Sequence, residues 1–445
     1  MVRFLAVVSL CCLFYVTVSA LEAPAPSKLL KVPTAASEIQ VLEPVDHEKP
    51  LNVFIKPIEK EERTLFFSRT LWSLFFSKPE ASHDHKLSMM SIVINIIADL
   101  APHGMLPLAF GLAAGGTVGI VPSIAVLVAF GLFSAYTMTT YAKLAEETNS
   151  HAMSEIWGKI IEDGKRTKWT IDAMLMALCF GCCVFYSAFI GDIFTTLTHS
   201  ITTSVEGRTN FFASFLTTHK AMVTMRSVVL SVLHVMVVVP LCLMEDLSGL
   251  EVSSKLGVLG ILYTVFFVLQ RVSDKTYSLD HKMSPHNLLE FMPASKQPVF
   301  KDSLSLYSMS VPGMLELINI VMVAYLAHYN AIPYYNELKE ATPQKFTQAM
   351  TIGFTVVFLI FTAMMFGGYL LFGNTAQPLI LNNFHSSMDN GAFWARISIG
   401  FAIIFAYPLM WNAFRTSLYT LFPAQFNGKK VHNDYEQHMC TVYLS

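Results

Sequence analysis

The chain has 445 residues, of which 53% are hydrophobic and 14% charged, with a formal net charge of -2. A soluble domain carries roughly 25% charged residues, and here the apolar residues fall in long blocks, so the composition describes a polytopic membrane protein in a lipid bilayer. The near-neutral balance gives no basic field for nucleic acid, and the sequence holds no zinc-spaced Cys/His cluster or phosphate-cradling glycine loop, so nucleic-acid and nucleotide partners are excluded and no cofactor is expected. Cys11, Cys12, Cys179, Cys182, Cys183 and Cys242 lie in apolar runs, where cysteine acts as a small hydrophobe, and together with Cys440 they imply no disulfide framework.

Residues 1–20 combine Arg3, an apolar run and the small-residue end Val18, Ser19 and Ala20, a signal-like segment too short for a comfortable span. Residues 21–87 read as a disordered tail, mixing Pro, Glu, Lys and Ser without periodicity. Within it, 65–77 is short, apolar and carries Arg69, which suits the membrane surface. From 88 to 422 the length rule predicts eight spans, at 88–115, 118–144, 170–198, 226–246, 252–270, 311–337, 349–373 and 393–422, and a polar tail follows at 423–445. Lys and Arg in the loops favour a cytoplasmic start to the bundle, whereas a cleaved signal segment would put that start on the far side. Both placements stand at this level, as do plasma membrane and endomembrane.

The first span is interrupted by Pro102, His103, Gly104 and Pro107 where an anchor would carry Leu or Val. Proline removes a backbone donor and glycine weakens a helix, so unwinding is expected there. Freed backbone groups in hydrocarbon need cover from protein or a water-filled cavity, and broken helices of this kind hold substrate in many secondary transporters. The sixth span has a second break, with His328, Tyr329 and Asn330 ahead of Pro333. Two broken spans five helices apart match a pair of inverted five-helix repeats.

Six stretches resemble, in order, the amino acid/auxin permease family of amino acid transporters. They are the opening NIIADLAPHGMLPLAFGLAAGG, FYSAFIGDIF (Phe185 to Phe194), Val238 to Val268, HYNAIPYYNELKEATPQKF (His328 to Phe346), Phe366 to Phe384 and Phe401 to Leu418. The resemblance implies an all-α, LeuT-like inverted-repeat bundle and secondary transport of an amino acid substrate by symport or exchange, with no enzymatic activity and no catalytic residue. Carried over, the substrate site is the backbone of Pro102, His103 and Gly104 facing the sixth-span break at Ala324, Ala327 and His328. Unwound N–H groups there would meet a carboxylate, and carbonyls an ammonium. Pro102 and His103 stand where the family usually has small residues, which points to a narrower or His-lined pocket.

Polar groups inside spans mark ion or proton paths by default. Asp99, one helical turn before His103, is expected to pair with it and to carry protons, with His103 as second choice. Asp192, Glu316 and His234 are read as structural. In the sodium-coupled branch of the family, an Asn of the first span and a Thr of the eighth supply ion ligands. Alignment on Asn95, Gly104 and Leu106, and on Pro408, puts Ala98 and Ala406 at those places. Coupling to protons, or ion-independent exchange, is therefore expected. The family has about eleven spans, and two complete repeats need about ten. By that count the chain is truncated after the eighth: either it is a truncated product or gene model, or another chain supplies the missing helices, and the rival reading is a non-transporting sensor or partner subunit. An intramembrane aspartyl protease is disfavoured, because the Gly191–Asp192 pair lacks the first glycine of the required turn.

Overall fold

The computed structural model describes residues 86–422, apart from 114–117, 205–218, 244–246, 280–286, 301–303 and 386–387. The signal-like segment, the surface segment 65–77 and the polar tail lie outside the described residues.

All eight stretches read as spans are helical. The first comprises α1 (Met89–Gly104) and α2 (Leu108–Ala113), and the second is α3 (Ile120–Thr148). After the short α4 (Met153–Ile160), the third is α5 (Gly164–Ser204). The fourth joins α6 (His219–Leu233), a π-helical turn over His234–Val238 and α7 (Val239–Leu243), and the fifth is α8 (Leu247–Asp274). The sixth is α9 (Val311–Ala324) and α10 (Ala331–Glu337), followed by α11 (Pro343–Phe372) and α12 (Asn390–Leu421). Six of these stretches are long and apolar enough to cross a membrane, and Met89–Gly104 and Arg226–Cys242 are shorter apolar helices. Among the described residues there is no sheet, only two isolated bridges, Leu87 with Leu338 and Val299 with Gly373. The chain is an all-α, multi-pass integral membrane protein.

Polar residues set the helix starts. Ser88 accepts from the Ser91 N–H at 3.1 Å to begin α1, Ser310 caps α9, and Thr342 caps α11 ahead of Pro343. Asp389 caps α12 through the Ala392 N–H. Each cap satisfies a donor that the first turn would otherwise leave without an acceptor.

Burial ranks the helices. Every residue of α1 from Ser91 to Gly104 is buried, and this helix packs on α8, α9, α11 and α12. By contrast, α3 turns Leu132 and Tyr136 outward, exposed by 68% and 63%, and buries Ser123, Gly131 and Ser134. Small residues inward and large apolar ones outward is the packing rule of helices in lipid.

The first break falls later than expected. Pro102, His103 and Gly104 remain in the last turn of α1, and the Met105 N–H still reaches the Ala101 carbonyl at 3.1 Å. Pro102 loses only its own backbone bond, so the helix carries on past it. The chain leaves helical geometry at Met105–Pro107, just ahead of α2, whose Gly111 N–H bonds the Pro107 carbonyl at 3.0 Å. The second break falls where expected, at Tyr325–Ala327, followed by a 3-10 turn over His328–Asn330. Pro333 does not break α10, because it lies in the first turn, where its missing N–H costs nothing.

At one end of the bundle the Leu87 N–H bonds the Glu337 carbonyl at 2.7 Å and the Lys339 N–H bonds the Leu87 carbonyl at 2.8 Å. The start of the first span is thereby tied to the end of the sixth. At the other end the Gly119 N–H bonds Ser308 at 2.7 Å and the Asn374 N–H bonds Val299 at 2.7 Å. The connections after spans one, five and seven thus share one face, as alternate crossing requires.

Candidate substrate and coupling site

The two breaks meet. Gly104, at the end of α1, lies against the Phe361 ring of α11 and the Ala324 carbonyl of α9; a Cβ built there would collide with the ring and stand 3.0 Å from that oxygen. The space beside this glycine is therefore filled by Phe361 rather than open. Ala324 and Ala327 are buried, at 1% and 0% exposure, and Pro102 and His103 are buried with them.

Asp99 ties the first span to the sixth. Its side chain is fully buried, and its carboxylate accepts from the Tyr329 hydroxyl at 2.7 Å, from Asn330 Nδ2 at 2.9 Å and from the Tyr334 hydroxyl at 3.2 Å. Asn330 Nδ2 also lies 3.4 Å from the Tyr334 hydroxyl. A buried carboxylate costs far less when donors cover both oxygens, and here the sixth span supplies all three.

The expected Asp99–His103 side-chain pair does not form. His103 Nδ1 instead lies 2.8 Å from the Tyr186 hydroxyl of α5, which also approaches the Asp99 backbone carbonyl at 3.3 Å. The physical reason is competition: three donors from the sixth span already surround the carboxylate, while the imidazole turns to α5 and to the Val323 backbone. The two rings pack with centroids 5.4 Å apart.

His328 Nε2 lies 2.7 Å from the Thr137 hydroxyl of α3. Thr137 Oγ1 also sits 3.0 Å from both the Phe133 and Ser134 carbonyls. His328 Nδ1 is buried and without a protein partner. Asn95 Oδ1, one turn before Asp99, and the Tyr325 hydroxyl are likewise buried and unpartnered. Tyr325 is held by Phe354 and Phe361, with centroids 5.9 and 5.0 Å away.

A second polar line runs from α5 to α12. Ser187 Oγ meets His234 Nε2 at 3.0 Å and the Tyr407 hydroxyl at 3.5 Å, and the Tyr407 ring lies 6.3 Å from Tyr186 and 5.8 Å from His234. His234, read as structural, thus joins a polar chain next to His103. Asp192 does what a structural acid should, pairing with Arg226 at 2.9 Å. Ala98 and Ala406 are buried methyl groups, at 4% and 1% exposure.

Sequence reasoning missed Tyr186, Tyr329, Asn330, Tyr334, Asn95 and Tyr325. The signal was present for three of them: a carboxylate in an apolar span needs donors, and the Tyr-Asn-rich run at 329–335 is a dense source of them.

A helical membrane bundle in which two interrupted spans face one another, with a buried acid linking them, has the build of a membrane carrier. Residues 85–441 match the family described as Transmembrane amino acid transporter protein, and the chain belongs to that family. The chain is similar to the Amino acid transporter AVT6E of Arabidopsis thaliana, 24% identical over 60% of this chain and 51% of that protein. It is also similar to Vacuolar amino acid transporter 7 of Saccharomyces cerevisiae, 21% identical over 56% of this chain and 42% of that protein. To the human Sodium-coupled neutral amino acid transporter 7 it is 21% identical over 68% of this chain and 58% of that protein. These alignments span about half the length of such relatives. No solved structure matches the chain.

Proposed function

We propose that this chain carries amino acids across a membrane by secondary transport, with the substrate held between the interrupted first and sixth spans of a LeuT-like inverted-repeat bundle. The observation that carries this reading is the pair of breaks, Met105–Pro107 and Tyr325–Ala327, packed around Gly104 and Ala324. Backbone amides and carbonyls freed at two facing breaks suit a zwitterion. The unpartnered Asn95 Oδ1 and His328 Nδ1 are candidate partners for polar groups of the substrate, Asn95 Oδ1 as an acceptor for an ammonium.

The coupling ion in this reading is the proton, or none. Sodium needs oxygen ligands, and the two positions where the sodium-coupled branch offers side-chain oxygens hold Ala98 and Ala406. Asp99 is the leading proton carrier, because neutralising it would loosen its three bonds to the sixth span. His103 is the second choice, through Tyr186.

Uptake of labelled neutral amino acids into vesicles holding only this protein tests the reading. Saturable uptake is expected. Saturable binding without uptake would favour the alternative of a sensor or partner subunit, and neither would refute the substrate site.

A further inference from the structure

At the start of α12 the structure holds a buried cation that has no ion-pair partner among the described residues. Arg396, in the second turn of α12, is 1% exposed. Its Nη2 donates to the Leu381 and Phe384 carbonyls at 2.6 and 2.9 Å. Its Nε and Nη1, three N–H bonds in all, have no protein partner. Lys296 stands within electrostatic reach and donates Nζ to the Asn382 carbonyl at 2.8 Å. Two cations therefore grip the 381–384 segment, with His385 beside them.

The acids nearby are already engaged. Asp389 and the Tyr277 ring lie within electrostatic reach of Arg396. The Asp389 carboxylate is taken by Arg271 at 2.6 and 2.9 Å, by the Tyr277 hydroxyl at 2.8 Å and by the Ala392 N–H at 3.2 Å. Asp274 is bound to the same Arg271, at 2.6 Å. Both acids are thus ion-paired to Arg271, and among the described residues neither Arg396 nor Lys296 has an ion-pair partner. Burial, and then the Arg396 charge, push both Lys296 and His385 below their ordinary ranges.

We propose that Arg396 and Lys296 form a binding site for a small monovalent anion of halide size, at the end of the bundle where the 287–300 and 373–385 connections meet. A buried guanidinium with three open N–H donors and a second cation beside it is the environment a desolvated chloride requires. The near-complete burial of Arg396 favours a small, singly charged anion over phosphate and organic carboxylates. The gripped segment adjoins the first break, since the Ile380 N–H bonds the Leu106 carbonyl at 3.3 Å, but the proposal does not depend on the transport reading.

The test is thermal unfolding of the full chain in detergent, at fixed pH, sodium concentration and ionic strength, as gluconate is exchanged for chloride, bromide or phosphate. A ligand that binds only the folded state raises Tm along a saturable curve. Such a curve is expected for chloride and bromide, and not for phosphate or gluconate. Lys296→Gln removes one charge and should raise the chloride midpoint about five- to tenfold whatever it does to the starting Tm. That readout avoids Arg396 substitutions, which could simply unfold the chain. Equal Tm in chloride and gluconate would overturn the proposal and assign the open N–H groups to buried water. A saturable response to phosphate, or a Lys296→Gln midpoint equal to that of the parent chain, would overturn it as well.

Discussion

Asp99 and Gly104 lie five residues apart on one helix and do opposite things, one through charge and the other through lack of a side chain. The three donors on Asp99 are matched to an ionised carboxylate, so Asp99→Asn replaces an acceptor oxygen with an NH2 that faces other donors. Each lost bond to a charged group is worth about 1.5–3 kcal/mol. The Asn variant should therefore fold with a lowered Tm and, if Asp99 carries the proton, lose the pH dependence of uptake. Tyr334→Phe removes only the longest bond and should lower Tm less while keeping that dependence. Transport that keeps its full pH response in both Asp99→Asn and His103→Gln would leave Asp99 a purely structural link. At Gly104 the packing against Phe361 and the Ala324 carbonyl changes what substitution is expected to do. A Gly104→Leu chain should lose substrate binding, and because Phe361 already occupies the space it should also lose stability, of the order of 1–3 kcal/mol for overpacking. Gly104→Ala paired with Phe361→Leu should recover part of the stability, since the colliding atom is a side chain. Tm and substrate affinity measured on these two variants separate packing from recognition.

At the scale of elements, the N-terminal end of α12 is fixed by an N-cap that is also an ion-pair partner. Burial pushes the Asp389 carboxyl up, but the Arg271 and Tyr277 hydrogen bonds and the Arg271 charge outweigh it and hold the group below its ordinary value. A carboxyl depressed by folding contributes stability that is present above the unfolded value, about 3.9, and is lost as pH falls through the folded one. Tm should accordingly drop below about pH 4 in the parent chain, and less steeply in Asp389→Asn. At neutral pH that variant should already be less stable by about 3 kcal/mol, the cost of leaving a part-buried guanidinium without one partner. A parent chain and variant with parallel pH profiles would remove Asp389 from this role. The same residue shows why some features were hard to read. Apolar block length is a local property, so the eight helical stretches were legible across the described residues. Which charges meet across 118 positions, as Arg271 and Asp389 do, is not local, and no periodicity announces it.

For the whole molecule, the first span was legible as the centre because its apolar run carries Pro, Gly and an acid together, a combination that only a protein-covered helix tolerates. The exact point of unwinding was not, because the cost of a missing N–H at Pro102 is decided by what packs around the turn. The partner of Asp99 was not legible either: helical spacing offers His103, and tertiary structure offers three better donors 230 to 235 residues away. This arrangement bears on the coupling ion. If transport depends on sodium, the ion must find at least as many oxygens here as in a site with Asn and Thr ligands, yet Ala98 and Ala406 present methyl groups in buried positions. If it depends on protons, one titratable group that links the two interrupted spans is enough, and Asp99 bridges α1 to the 328–337 segment. Replacing sodium by choline at constant pH should therefore leave vesicle uptake within about twofold, since no ligand-bearing step is lost. An imposed pH gradient, acidic on the substrate side, should raise it if protons are coupled, and leave it unchanged if the carrier only exchanges. Uptake that disappears in choline at constant pH would overturn the proton and ion-independent readings together and require sodium ligands among backbone carbonyls of the first span.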